Sequence, residues 1–222
     1  MRTIDDLNPT QVRILGALLE KEQATPDHYP LTVNALLAAC NQKSNRDPVT
    51  SLAEGEVWDE LEALRTETLV WRSDGARAQR WSQSISRRLE LDPEEKALLT
   101  VLMLRGPQTV GELRSRSHRL HAFTSLAEIE AALVRMATEE RDLVVELSRQ
   151  PGQKENRWAQ RLGGSAAESA PQAPAATIRP EAPDRDAHTA DRQALGERVA
   201  ALEEQVTELQ AAVERLVRAL DS

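Results

Sequence analysis

The sequence predicts an α+β, mainly helical fold: a three-helix unit ending in a β-hairpin occurs twice, followed by a linker and a C-terminal helix. Three observations predict it. Matching stretches recur at offsets between 72 and 84, each unit ends in an apolar run, a turn and Arg-Trp, and a strict heptad occupies the last part of the chain.

The first unit opens at Leu7-Asn8-Pro9-Thr10-Gln11 and the second at Leu91-Asp92-Pro93-Glu94-Glu95, an offset of 84. Each spells a helix start: Asn8 or Asp92 caps, proline takes the first helical position, and Gln11 or Glu95 completes a capping box. Leu15, Leu18 and Leu19, and then Leu99, Leu102 and Met103, follow at helical spacing. A short second helix is predicted behind the Thr caps of Thr32-Val33-Asn34-Ala35-Leu36 and Thr109-Val110-Gly111-Glu112-Leu113, an offset of 77.

Around the third helix the five residues TSLAE occur twice, at 50–54 and 124–128, an offset of 74. The apolar positions give another ruler. Val57, Leu61 and Leu64 match Ile129, Leu133 and Met136 at an offset of 72. The apolar face must point into the core, so 72 is the structural register. In it Ser125 aligns with Ala53 and caps the helix, with Glu128 as its box partner. The first TSLAE lies two positions earlier. It either caps through Ser51 and Glu54 or sets Leu52 as a hydrophobic staple against Val57.

Leu69-Val70-Trp71 and Leu143-Val144-Val145 are short apolar runs. Turn residues follow, Ser73-Asp74-Gly75 and Gln150-Pro151-Gly152, and then Arg80-Trp81 and Arg157-Trp158. Each set predicts a hairpin. Helix, helix, helix, hairpin is the order of a winged helix, so two tandem winged-helix domains are predicted, over residues 1–85 and 86–162. Residues 163–190, rich in Ala, Pro, Gly and Ser, read as a flexible linker, because they bury too little apolar area to offset their ordering entropy.

Over residues 191–222 the positions Leu195, Val199, Leu202, Val206, Leu209, Val213, Leu216 and Leu220 alternate steps of four and three. This is a coiled-coil seam with Leu at d and Val at three of four a positions, a pattern that favours a parallel homodimer. Arg198 at g and Glu203 at the following e are placed to pair across it. The competing reading is a lone amphipathic helix folded back on the body, and a trimer is the other closed assembly.

The chain carries a formal charge of −8 over 222 residues, shared unevenly. Residues 1–161 hold 22 basic against 25 acidic side chains, and the remainder 6 against 11. The single cysteine, Cys40, allows neither an internal disulfide nor a cysteine metal site, and points to a reducing compartment. MRTIDDLNPT lacks the apolar core of a signal peptide, and Ala97–Leu104 is far too short to span a bilayer. A cytoplasmic protein without membrane partners is the expectation.

The segments LLEKEQATPDHYPLTVNALLAACNQKSNRDPV, LMLRGPQTVGELRSRSHRLHAF and VVELSRQPGQKENRWAQRL closely resemble the YceH-like family of bacterial proteins. The resemblance covers about residues 5–162 and implies two tandem winged-helix domains with no assigned biochemical activity. Many members also end in a coiled-coil segment. The first hairpin departs from the family pattern: SDGARAQRWSQ stands where Gly-Phe, Lys and Tyr are common.

No converging catalytic set is legible. The histidines are His28, His118, His121 and His188, and only His118 and His121 are close enough to share a helix face. No carboxylate or cysteine lies beside them in sequence to complete a metal site. Cys40 reads as a small buried residue. No phosphate loop or nucleophile elbow occurs. The expectation is a non-enzymatic protein with no cofactor and no metal.

The fold suggests double-stranded DNA, but the third helices argue against base reading. Glu54, Glu56, Asp59, Glu60, Glu62 and Glu67 surround a single Arg65, and Glu128, Glu130, Glu139 and Glu140 stand against Arg135 and Arg141. Such surfaces are repelled by the charge of a duplex. Basic and amide groups gather elsewhere: Asn41, Gln42, Lys43, Asn45 and Arg46 between helices two and three; Arg114, Arg116 and Arg119 on the second unit's second helix; Arg72, Arg77, Arg80, Arg149, Lys154 and Arg157 in the hairpins. Phosphate contact needs donors and no base code, so these are the candidate DNA contacts of a dimeric regulator. Two alternatives stand beside it. The amides cap and turn while the arginines pair with glutamates, or the acidic third-helix faces bind a basic protein.

Overall fold

The computed structural model describes residues 7–74, 78–149 and 152–163. Among them the helices are α1 (Pro9–Ala24), α2 (Val33–Cys40), α3 (Glu54–Thr66), α4 (Ile85–Arg88), α5 (Pro93–Arg105), α6 (Val110–Ser117) and α7 (Leu126–Met136). The strands are β1 (Val70–Asp74), β2 (Gln79–Gln83), β3 (Val144–Leu147) and β4 (Arg157–Gln160), paired as two antiparallel two-stranded sheets. The linker and the Leu195–Leu220 seam lie outside the described residues, Gly163 apart, and so does Arg77.

Capping chemistry places the helix starts. Asn8 Oδ1 accepts from the Gln11 N–H at 2.9 Å while Gln11 Oε1 accepts from the Asn8 N–H at 3.1 Å. Asp92 and Glu95 repeat the box on α5. Thr32 and Thr109 cap α2 and α6. At α7 the Ser125 hydroxyl accepts from the Glu128 N–H at 3.2 Å, but the Glu128 carboxylate reaches one residue further back, to the N–H and hydroxyl of Thr124. At α3 the expected Ser51 cap is not formed. Ala53 is the cap residue, and the only box bond is from its N–H to Glu56, 2.6 Å. Leu52, one residue before the cap, is half-buried against the core, the place the staple alternative gives it. The offset of 72 therefore holds: Val57, Leu61, Leu64, Ile129, Leu133 and Met136 are all fully buried. Ser125→Ala is expected to cost about 1 kcal/mol in urea unfolding. An unchanged midpoint would show the cap to be idle.

The duplication is also written in the backbone. Leu31 and Trp81 exchange both their N–H and C=O groups, at 3.0 and 2.7 Å, and Gln108 and Trp158 do the same at 2.9 and 2.7 Å. Each hairpin thus gains a one-residue third strand just ahead of the second helix. The exit from the third helix matches too. The Leu69 N–H returns to Leu64 and the Leu143 N–H to Met136, after Thr68 and Asp142 with positive φ.

The centre is an α1–α5 pair. Gly16 meets Met103 and Leu104, Gln23 bonds to Thr100 at 3.0 Å, and Glu22 pairs with Lys96, so the two helices run in opposite directions. Gln11 to Leu19 and Ala97 to Leu104 are each buried without interruption, on every side of their helices. A Cβ at position 16 would lie 2.9 Å from Leu104 Cδ2 and 3.1 Å from Met103 Cβ, so glycine is what lets the helices approach. One apolar cluster runs from Val12 in α1 through Trp81 to Trp158 and Leu162. The two copies share a core.

Candidate nucleic-acid interface

The polar connection after α2 divides in two. Asn41 is a strut: Nδ2 donates to the Leu52 carbonyl at 2.9 Å, and Oδ1 accepts from the Leu52 N–H at 2.9 Å and the Thr50 hydroxyl at 3.2 Å. Arg46, expected at the surface, is buried. Its Nε and Nη2 donate to the Ala39 carbonyl at 3.0 and 2.8 Å, and Nη1 and Nη2 clamp both oxygens of Glu20 at 3.1 and 2.6 Å. A guanidinium so enclosed has no face for a phosphate. Cys40 beside it is fully buried, and desolvation pushes its thiol up to about 12. Lys43 stays exposed.

The described hairpin arginines, Arg72, Arg80, Arg149 and Arg157, are bonded to the frame. Arg80 Nη1 donates to the Pro30 carbonyl at 2.8 Å and Arg157 Nη1 to the Pro107 carbonyl at 2.9 Å, the same bond in both copies. Arg157 also meets Glu112 at 3.2 Å. Arg72 pairs with Glu62 at 2.9 Å and lies 6.0 Å from the centre of the Trp81 ring. Arg149 Nη1 donates to the Lys154 carbonyl across the second hairpin, and Lys154 itself is exposed. On α6, Arg114 is exposed and reaches the Thr124 carbonyl only at 3.5 Å.

The remaining candidates converge. Gln42 and Asn45 from the first copy, and Arg116 and Arg119 from the second, line one cleft of about 510 Å³ at the seam between the copies. Two residues missed in the sequence join them, Lys21 and Arg105. These stand in the last turns of α1 and α5, so the offset that matched the helix starts also matches them. Cations belong in a last turn, near the carbonyl end of the helix dipole.

The acids near the cleft are engaged. Glu20 is held by Arg46, leaving Lys21 at 3.7 Å from it and 3.3 Å from the Gln42 side-chain oxygen. Glu112 serves the Thr109 N–H and Arg157 and stands 3.4 Å from Arg116. Arg105 donates to Asn45 Oδ1 at 2.8 Å, with Asn45 at φ 59° presenting that oxygen. Burial first, and then repulsion from Arg116, hold the Arg105 guanidinium below its usual value. It stays charged, as guanidinium does in proteins. Four cations thus face a concave surface whose own carboxylates are largely committed elsewhere.

A family model described as a protein of unknown function, DUF480, matches residues 7–153. The chain belongs to the DUF480 family. A relative in Geotalea daltonii, named a UPF0502 protein, is 49% identical over 177 residues, covering 78% of this chain and 81% of its own. One from Acidovorax sp. strain JS42, with the same name, is 43% identical over 222 residues, 96% of this chain and 94% of its own. A third, from Geobacter sulfurreducens, is 50% identical over 159 residues, 71% and 73% of the two chains. These relatives accord with the YceH-like resemblance read from the sequence. No described helix is long and apolar enough to cross a membrane.

Proposed function

We propose that this DUF480 protein is a non-enzymatic, DNA-associated regulator built on two winged helices, which grips duplex phosphates through the cationic seam cleft. The observation that carries the reading is the meeting of Lys21, Arg105, Arg116 and Arg119 beside Gln42 and Asn45. The helix–helix–helix–hairpin order with a bridging third strand supports the winged-helix assignment. The acidic third helices argue that contact is with the backbone and tolerates sequence. The C-terminal heptad would join two such bodies into a homodimer, doubling the phosphate contacts.

The rival reading, a basic protein docked on the acidic third-helix faces, has less behind it. Glu60 already accepts from Asn8 and Gln11 at 2.8 and 2.7 Å, and Glu62 holds Arg65 and Arg72.

Titration of a labelled mixed-sequence duplex with the full chain tests the proposal. Four phosphate contacts give a logarithmic salt slope of about −3.6, a loss on the order of 100-fold for a fourfold rise in salt. Charge reversal of Arg116 and Arg119 together should weaken binding at least tenfold and flatten that slope by about 2, with helicity retained. Absence of binding at low salt, or wild-type affinity in the folded double variant, overturns it.

A further inference from the structure

We propose that Glu94, His121 and Glu128 bind a divalent transition-metal ion of the zinc class. The three come from separate elements: the first turn of α5, the connection after α6 and the first turn of α7. One ligand atom from each lies within 4.8 Å of the other two.

The geometry suits an ion better than a direct bond. His121 Nε2 and Glu128 Oε1 stand 3.9 Å apart, too far for a hydrogen bond. They are closer than twice a zinc–ligand bond of about 2.1 Å, so one ion reaches both. Glu94 closes the set with a side-chain shift of less than about 1 Å, judged against the same bond length.

Each ligand is oriented from behind. Glu128 Oε2 accepts from the Thr124 N–H at 2.7 Å and its hydroxyl at 2.9 Å, which turns the other oxygen toward His121. The imidazole of His121 packs edge-on against Phe123, ring centres 4.7 Å apart. Outer hydrogen bonds such as those from Thr124 to Glu128 are what fix metal ligands. Arg135 touches Glu94 at 3.0 Å but also Asp92 at 3.1 Å and Glu95 at 3.6 Å, so Glu94 can turn to an ion without leaving that guanidinium unpaired. The side chains of His121, Glu128 and Glu94 are 28, 26 and 30% exposed, which leaves a path for the ion and room for water as a fourth ligand.

The positive ends of α5 and α7 point toward this place and disfavour a cation. Two carboxylates offset them. The fold itself does not require two of the three, Glu94 and His121. At the offset of 84 the first copy has Thr10 in the place of Glu94, and at the offset of 77 it has Ser44 in the place of His121. One imidazole and two carboxylates suit zinc or a near neighbour in the first transition row.

Calorimetric titration of the metal-stripped full chain with Zn²⁺ tests the assignment. One ion per chain is expected, with affinity reduced at least about tenfold in His121→Ala and in Glu128→Gln and unchanged in His118→Ala. Because Glu128 also orders the start of α7, helicity and melting of the metal-free variants are compared first. With Co²⁺ in place of Zn²⁺, the visible bands of a nitrogen-ligated ion should appear in the wild type and be lost in the folded His121→Ala. Absence of binding in the wild type, or wild-type affinity in His121→Ala, overturns the proposal.

Discussion

Replacing Trp81 by alanine is expected to destabilise the protein by about 3–5 kcal/mol, read as a lower urea midpoint. Trp81 is fully buried and anchors three elements at once. Its ring meets Trp58 of α3 edge-on with centres 6.0 Å apart, and the guanidinium of Arg72 lies over it. Its backbone ties β2 to Leu31 ahead of α2. Among the described residues the indole N–H has no hydrogen-bond partner, so the side chain contributes volume and contact rather than a polar bond. Trp81→Phe should therefore cost less than half as much. Equal losses in the two variants would show that the indole nitrogen matters after all.

Arg46→Met is expected to cost about 3–5 kcal/mol, the second large effect. The substitution strips the Ala39 carbonyl and the Glu20 carboxylate of their donors in a place where little water reaches. Adding Glu20→Met removes the stranded charge, so the double variant should be more stable than Arg46→Met alone. If Arg46→Met unfolds at the wild-type midpoint, the buried clamp is not structural. The pair of variants also separates a strut from a phosphate contact. Duplex affinity measured well below the unfolding transition should hardly change in the double variant.

Much of the frame was legible because it rests on local chemistry. Asn8, Thr32, Asp92, Thr109 and Ser125 announce helix starts through bonds made within three residues of themselves. Val57, Leu61 and Leu64 betray the buried face of α3 by spacing alone. What depends on distant partners was not legible. The run Asn-Gln-Lys-Ser-Asn-Arg reads as a solvated loop, and nothing in it tells that Arg46 turns inward to a carbonyl seven residues back and to Glu20. Arg80 and Arg157 read either as wing cations or as partners of glutamates, because the carbonyls they meet, of Pro30 and Pro107, lie far upstream in the chain. Of the cleft, Gln42, Asn45, Arg116 and Arg119 were named as candidates, but their convergence follows from the docking of α1 on α5, which no local pattern encodes. Glu94 and Glu128 are not legible as neighbours of His121 for the same reason.

The enclosure of α1 sets an order of events during synthesis. The first copy is complete at Gln83, yet the flank of α1 around Gly16 stays bare until α5 has emerged as far as Arg105. At about 5–20 residues per second the wait is roughly 1–4 s. An apolar helix flank is left open to the crowded interior of the cell for that interval. The short path through α4 keeps it brief, and a longer insertion there would lengthen the time in which a nascent chain can bind chaperones or its own neighbours.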